Sequence, residues 1–586
     1  MSKFKKVLAL MLAAAMMASL AACGSSSAPA ETTAAAEEAA ETTAAAEAAE
    51  TEAAEAAETE AAAEPAAEGG KEFRYAVATE PTTLDPSKGN SVGDNEIQRA
   101  LTEGLVRTID GQVEPGLAET WEISDDLLTY TFHLREGLLW SDGEPLTAQD
   151  LLYGFQRLVN PETASPYGWI ATDDAAHIVN AGAVLAGEMG VEELGVEAPD
   201  DSTFIIHLNT PAPYFLSLLG SCTEFSPVRK DFVEQYGVDF AATADKNVYS
   251  GPFILTSSEN QELHYAKNPN YWNAERVNFD TVVQYIVPEA ATQVAMYESG
   301  DLDMVYVPVD MVPEYEGMEG ESSYQNGNDD FVYINCSSET QPLLQDKNFR
   351  LALNYALNHQ EYITLATNDV YDPATTFVLP LVGGAEKTYG EEYGSTLSAF
   401  PLEGDLDKAK ECLQLAMDAA GYSDPSEITL NFTCTDNETE KKIVETIQYM
   451  WKENLGINVE IDQITYGEKY TDVFPNHNFE VGYGGWSPDY SDPYTYLALY
   501  IGGSPNNYSA YNNPDFDALL TASTTEQDPK ARMEMLAKAE NILLEDGAMV
   551  PLQYRTQHYL LNQNVTGIKF SLGAVNLDWP FGDITQ

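Results

Sequence analysis

The chain has 586 residues, with 29 Lys and Arg against 94 Asp and Glu, a formal charge of −65. That length supports two or three domains and a large core, and the charge excludes a nucleic-acid partner and docking on anionic lipid by charge alone. The three lysines and twelve glutamates of residues 1–70 leave −56 on the remainder, so the acidity belongs to the folded part too.

The N-terminus reads as an export signal. Lys3, Lys5 and Lys6 precede an apolar run from Val7 to Leu20, too short for a comfortable membrane span. The run ends in Leu20-Ala21-Ala22-Cys23-Gly24, which resembles a bacterial lipobox. That resemblance implies removal of residues 1–22 and a diacylglycerol on the Cys23 sulfur; the plainer reading is an incidental cysteine after an ordinary signal peptide. Residues 23–70 then form the lipidated cysteine and an Ala/Glu-rich tether. ETTAAAE occurs at Glu31 and again at Glu41, and glutamate is the only charged residue from Glu31 to Glu68. Like charges and the lack of an apolar stripe predict a solvated chain. Extended, it reaches roughly 150 Å.

From residue 71 the patterning is that of a folded α/β protein. Lys71–Ala78 alternates through Phe73, Tyr75 and Val77, which predicts a strand. A turn-rich loop follows, then a helical run over Glu96–Leu105. Leu117–Glu122 and Thr129–Leu134 are strand-like. Thr147 starts a helix that runs to Leu158, with Asp150 completing a capping pair. NPETASPY, Asn160–Tyr167, reads as an irregular loop. Pro288–Ser299 is a helix closed by Gly300, and Asp303–Val307 a strand. Helices follow over Phe349–Leu357 (after Asp346), Leu406–Ala420 (before Gly421) and Lys441–Leu455. After Gly456 comes an alternating strand at Ile457, Val459 and Ile461. Strands interleaved with helices of this length predict α/β layers.

One stretch stands apart. Gly482–Pro493, GYGGWSPDYSDP, holds three glycines, a tryptophan, two tyrosines and two aspartates, with no Lys, Arg or long aliphatic residue. Glycines let another chain approach the backbone closely. Trp486, Tyr483, Tyr490 and Tyr494 offer flat contact area with polar tips. Asp489 and Asp492 lie between Pro488 and Pro493, and an aspartate at the mouth of an aromatic cleft suits a cation such as an α-ammonium. The same residues also make a tight surface loop in which the aspartates serve the turn.

Several longer segments share a pattern. TTLDP at Thr82, EGL at Glu103, LAETWEISDDLLTYTFHLREGLLWSDGEPLTAQD from Leu117, and NPETASPY resemble the family 5 extracellular solute-binding proteins, the oligopeptide- and dipeptide-binding components of ABC importers. Ser250-Gly251-Pro252-Phe253 and Asn268-Pro269-Asn270-Tyr271-Trp272 are similar to a later region of that family, in the same order. The resemblance implies an α/β, two-lobed periplasmic-binding-protein type II-like (cluster C) fold with an additional domain and a hinge between lobes. The expected division is 71–107, 247–345 and 556–586 for one lobe, 108–246 for the extra domain and 346–555 for the second lobe.

The resemblance also implies a ligand site. Gly485-Trp486-Ser487-Pro488-Asp489 matches the family motif whose aspartate takes the peptide α-ammonium. Gly485 and Ser487 flank Trp486 where the ligand backbone pairs as an added strand. Val92 matches the opposite wall, and Asn90 lies two residues before it, where some members carry an acid. Tyr167 is carried over from the facing domain. Tyr483 stands where some oligopeptide members place an arginine for the ligand's C-terminus. The family implies peptide as ligand and an ABC permease as partner. It also contains binders of nickel, haem and oligosaccharides, and a nickel chelate, haem or oligosaccharide is the alternative ligand. The expected state is a monomer held by its lipid on the outer (extracellular or periplasmic) side of the cell membrane.

Enzyme motifs are missing: the chain has no HExxH, GxSxG, P-loop or GxGxxG after a strand, and its seven histidines are scattered. His133 and His207 sit in alternating strands, where a structural role is expected. Cys222, Cys336, Cys412 and Cys434 show no metal-ligand spacing, so neither metal nor cofactor is expected. A disulfide is compatible with export, but spacing does not pair them.

Overall fold

The computed structural model describes residues 70–585 apart from Asn90, Asp110, Asp174 and Ala574. The expectations for Asn90, for Cys23 and for the tether lie outside these residues.

The first strand, β1 (Glu72–Val77), is flanked by parallel strands on both sides. Phe73 and Tyr75 pack into one core and Ala76 into another, because a central strand must bury both faces. The next helix, α1 (Val92–Leu101), begins four residues before the predicted start and ends four before the predicted end. Ser91 fixes the start, since its hydroxyl accepts from the Asp94 N–H at 3.1 Å. Leu101 and Leu105, four apart, mimic one helical face, but the backbone turns extended at Thr102.

Residues from about 118 to 207 build a separate four-stranded sheet. Its strands are β2 (Ala118–Ile123), β3 (Thr129–Leu134), β4 (Val196–Glu197) and β5 (Thr203–His207), in spatial order β2-β3-β5-β4. Tyr130, Phe132 and Leu134 of β3 point into its core, as the alternation predicts. α2 (Ala148–Val159) covers it, with the Thr147/Asp150 capping box formed.

The main sheet continues through β6 (Phe253–Glu259), β7 (Glu262–Lys267), β8 (Thr281–Ile286), β9 (Met304–Val307), β10 (Glu321–Ile334), β11 (Thr429–Thr435), β12 (Asn458–Ile464), β13 (Val481–Trp486) and β14 (Met549–Leu561). Their order is β12-β11-β13-β10-β14-β9-β1-β8-β7-β6. Two long strands carry the path between its ends. β14 pairs with β9 through His558–Leu561 and with β10 along most of its length. β10 pairs with β13 only through Asp329–Ile334, after a register shift between Gln325 and Asp329. Asp346 caps α3 (Lys347–Tyr355). α4 (Leu406–Ala420) ends at the left-handed Gly421, and α5 (Glu438–Leu455) at the left-handed Gly456, both as predicted. These helices cover one face of β10, β11 and β13, with Trp451, Phe432 and Val332 in a common core.

Among the described residues no helix is long and apolar enough to cross a membrane. Cys222, Cys336, Cys412 and Cys434 are all free thiols.

Candidate functional site

The glycine-rich stretch begins as a strand, not a loop: Val481–Trp486 is β13, and Val481 to Gly484 are buried. Its glycines are required by close packing. A Cβ on Gly484 would lie 2.5 Å from the Tyr333 ring, and one on Gly485 2.6 Å from Oδ1 of Asp330. On one side β13 pairs with β10 along its whole length, with Gly485 opposite Asp330 and Trp486 opposite Asp329. On the other side β11 pairs only with Val481 and Gly482. From Tyr483 onward that edge has no strand partner among the described residues, and a cavity of about 800 Å³ opens beside it. Tyr483, Gly484, Gly485, Trp486, Ser487 and Asp489 all line it. An unpaired strand edge of this kind accepts an extended chain through main-chain hydrogen bonds.

Asp489 sits at the end of this edge and is buried. Its Oδ1 accepts a hydrogen bond from the Tyr167 hydroxyl, which reaches it from the loop after α2. Tyr167 lines the same cavity and lies edge-on to Trp169 at 4.9 Å. Burial raises the Asp489 pKa from 3.8 to about 6, against the lowering effect of the Tyr167 bond. Burial also pushes the Tyr167 phenol up, and the neighbouring Asp489 charge adds to it. No hydrogen bond to Oδ2 of Asp489 is found among the described residues, so the carboxylate can take a donor from the cavity it lines. The Trp486 indole is held by its Nε1–H, which donates to Oγ1 of Thr495 at 3.1 Å.

The other aspartate of the stretch has a different role. Asp492 accepts two bonds from the Arg532 guanidinium, at 2.6 and 2.9 Å, inside the protein. Tyr490 and Tyr494 stack on Tyr214 at 4.5 and 5.3 Å rather than offering themselves to a ligand. The stacking joins the Gly482–Pro493 stretch to Tyr214, far away in sequence.

The rest of the cavity comes from distant parts of the chain. Tyr333, Tyr470 and Tyr508 form an aromatic wall, with ring centroids 5.6 Å apart for Tyr333–Tyr508 and 6.2 Å for Tyr470–Tyr508. Asp329 and Asp330, adjacent on β10, both line it. Asp329 accepts from the Trp486 N–H at 3.1 Å, while its Oδ2 is buried without a partner. Burial, then the Asp330 charge, push its pKa well up from the ordinary carboxylate value. Asp330 is ion-paired to Arg555 and accepts from Gln553 at 2.6 Å. Glu440 pairs with the fully buried Lys469 at 3.1 Å. Burial lowers the Lys469 pKa and Glu440 opposes the shift.

The chain matches the model of the bacterial extracellular solute-binding proteins, family 5, over residues 112–508. It belongs to this family. The family consists of binding proteins of transporters, not enzymes, and its two-lobed α/β fold is the fold class expected above. This family 5 protein is 31% identical to the periplasmic oligopeptide-binding protein OppA of Salmonella typhimurium over 83% of this chain and 88% of that one. It is 32% identical to the probable deoxycholate-binding periplasmic protein YgiS of Escherichia coli, over 84% and 90%. The solved structure of Listeria monocytogenes OppA bound to peptide superposes with a TM-score of 0.70 at 26% identity, over 88% of this chain and all of that one.

In this member of the family, Gly485, Trp486, Ser487, Asp489, Tyr167 and Tyr483 come together at one cavity. Val92 opens α1, half-buried, and is not among the cavity's lining residues. Tyr483 is buried in β13, its ring 5.5 Å from Nζ of Lys469. Sequence reasoning missed Arg555, Asp330, Tyr470, Tyr508 and the Glu440–Lys469 pair. Only Arg555 left a signal: it is the lone cation in the β-prone run Met549–Leu561.

Proposed function

We propose that this protein captures extracellular peptides for an ABC importer. It closes two lobes on a peptide and delivers it to the permease's transmembrane subunits. In this reading one lobe is 71–107, 247–345 and 556–586, the other is 346–555, and 108–246 is the extra domain. β10 and β14 are the crossover strands that flex, and the cavity beside β13 is the cleft between the lobes. The mature protein is a monomer held on the outer face of the cell membrane by lipid on Cys23, with residues 24–70 as the tether.

The observation that carries the reading is Asp489. A largely buried carboxylate with one oxygen left for a ligand donor lies just beyond an unpaired strand edge, lining a cavity with aromatic walls. A peptide supplies what each part needs: an ammonium for Asp489, main-chain groups for β13 and side chains for the aromatic wall. The named peptide binders among its relatives support the same ligand class.

X-ray scattering with and without saturating peptide tests the closure, because contacts to both walls exist only in the closed form. The expected result is a smaller radius of gyration with ligand, and intact peptide recovered afterwards. An unchanged profile at saturation would remove lobe closure, and cleaved peptide would remove the binder reading.

A further inference from the structure

Glu224 is not among the residues that line the cavity, yet it lies against the group that carries the peptide reading. It sits in a short turn, Thr223–Phe225, and is 1% exposed, with neither carboxyl oxygen hydrogen-bonded. On one side this turn rests on α1. Oγ1 of Thr223 is 3.0 Å from Oδ1 of Asn95 and 2.9 Å from Oε1 of Gln98. On the other side, Sγ of Cys222 lies 4.0 Å from the carbonyl oxygen of Asp489. An ionised carboxylate buried without a donor or a cation is costly, so such a group keeps its proton until a positive charge arrives.

None of the charged groups facing the turn offers that charge. On α1, Asp94 accepts from the Thr82 N–H and hydroxyl, both at 2.7 Å, and Arg99 is spent on Asp578 and on the carbonyls of Gly220 and Thr108. On α2, Arg157 grips Asp85 with two bonds of 2.6 Å. The helix Phe215–Ser221 carries no ionisable group. The remaining neighbours are the Cys222 thiol, Asp489 and the Tyr167 hydroxyl bonded to it. Burial raises the Glu224 carboxyl from 4.5 to about 8, and the Asp489 and Asp94 charges add to it. Most of Glu224 therefore holds its proton at pH 7.5. A peptide ammonium at Asp489 cancels the Asp489 charge and brings a positive one to the same place. Glu224 is already sealed from water, so the ligand adds little desolvation, and both electrostatic changes favour the ionised carboxyl.

We propose that Glu224 is a positioning residue for the ligand's amine: capture of the ammonium at Asp489 drives the proton off Glu224, and the carboxylate so formed is a second counter-charge that holds the ammonium in place. The O–H bond of Glu224 breaks and its proton passes to the bulk buffer. The inference rests on the peptide reading given above. It makes capture proton-linked: protons oppose binding, so the part that Glu224 contributes to affinity grows as the pH rises toward 8.

The test counts protons. The full-length protein and its Glu224→Gln variant are titrated calorimetrically at pH 7.5 with the tightest-binding free-amine peptide of a series of two to six residues. Each titration is run in phosphate and in Tris, whose ionisation enthalpies differ, so the two heats give the protons exchanged. The peptide's own amine, with a pKa of roughly 8, takes up the same fraction of a proton in both proteins. If the ammonium lowers Glu224 by about one pH unit, the wild type releases roughly half a proton more than Glu224→Gln. The variant then binds about fivefold more weakly at pH 8 and equally at pH 6. An N-acetylated peptide, which brings no ammonium, should move no proton in either protein. Two results overturn the proposal: equal proton counts for wild type and Glu224→Gln, or an affinity deficit of the same size at pH 6 and pH 8, which would make Glu224 only part of the packing. Should Glu224→Gln not fold, Glu224→Met removes the same proton, and the free-amine against acetylated comparison on the wild type still decides. If no peptide of the series binds the wild type, the peptide reading itself fails and takes this inference with it.

Discussion

Asp489→Asn keeps the side chain's shape and removes its charge. In the structure this carboxylate is buried, holds one bond from Tyr167 and leaves Oδ2 without a donor. Raising its pKa from 3.8 to about 6 corresponds to ~3 kcal/mol of charge left uncompensated by the protein. A ligand ammonium at Oδ2 would offset that cost, so deleting the interaction should weaken peptide binding by ~3 kcal/mol, roughly a hundredfold in Kd. Acetylating the peptide's amine should weaken wild-type binding by a similar factor. Both changes together should cost far less than their sum, since they delete one interaction. Isothermal titration of the four combinations at pH 7.5 measures this. Lower pH should act in the same direction: protons compete with the ammonium, so wild-type affinity falls below about pH 6 while Asp489→Asn stays flat. Additive losses, or an Asp489→Asn affinity that titrates like the wild type, would refute the role given to Asp489.

Asp492→Asn should cost about 3–5 kcal/mol of stability, because it leaves the buried Arg532 charge without its partner. Chemical denaturation reads this, and peptide stoichiometry should be unchanged; lost binding at full stability would instead make Asp492 a ligand group. Glu224 is 1% exposed with both carboxylate oxygens unpartnered, and burial raises its pKa from 4.5 to about 8. A carboxyl with a raised folded-state pKa holds its proton more tightly in the fold, so its contribution is present at low pH and is lost as the pH rises from about 4.5 to about 8. Glu224→Gln should therefore raise the melting temperature at pH 8.5 and change it little at pH 4.5; equal effects at both would contradict a buried, titrating Glu224. Cys23→Ser should move the protein from the membrane fraction to the soluble one without changing its melting temperature, and retention on the membrane would exclude lipid as the anchor.

Much of this molecule was legible because its signals are local. Thr147 with Asp150, Asp346, Gly421 and Gly456 mark helix ends by capping chemistry that needs no tertiary context, and each stands where predicted. The helix after β1 was misplaced because Leu101 and Leu105 share a helical spacing that the chain does not use, while the Ser91 cap went unread. The site was legible where one motif carries it: Gly485, Trp486, Ser487 and Asp489 fall within five residues. Composition could not separate strand from loop in the first half of that stretch, because β13 owes its strand to pairing with β10 across about 150 residues of sequence. The aromatic wall was beyond reach for the same reason. Tyr333, Tyr470 and Tyr508 come from separate segments and meet only through the fold. Tyr490 and Tyr494 looked like ligand contacts but pack on Tyr214, a partner that no local pattern announces.

The central claim is that the cavity beside β13 binds peptide through its free amine. Its most direct test is titration of the wild-type protein, stripped of any bound ligand, with pools of di- to hexapeptides, the same pools N-acetylated, and deoxycholate and oligosaccharide as controls. The account predicts saturable one-to-one binding of the free-amine pools and about a hundredfold weaker binding after acetylation, in line with the ~3 kcal/mol assigned to Asp489. Binding of a control ligand with no response to any peptide, or equal affinity for acetylated and free pools, would contradict it.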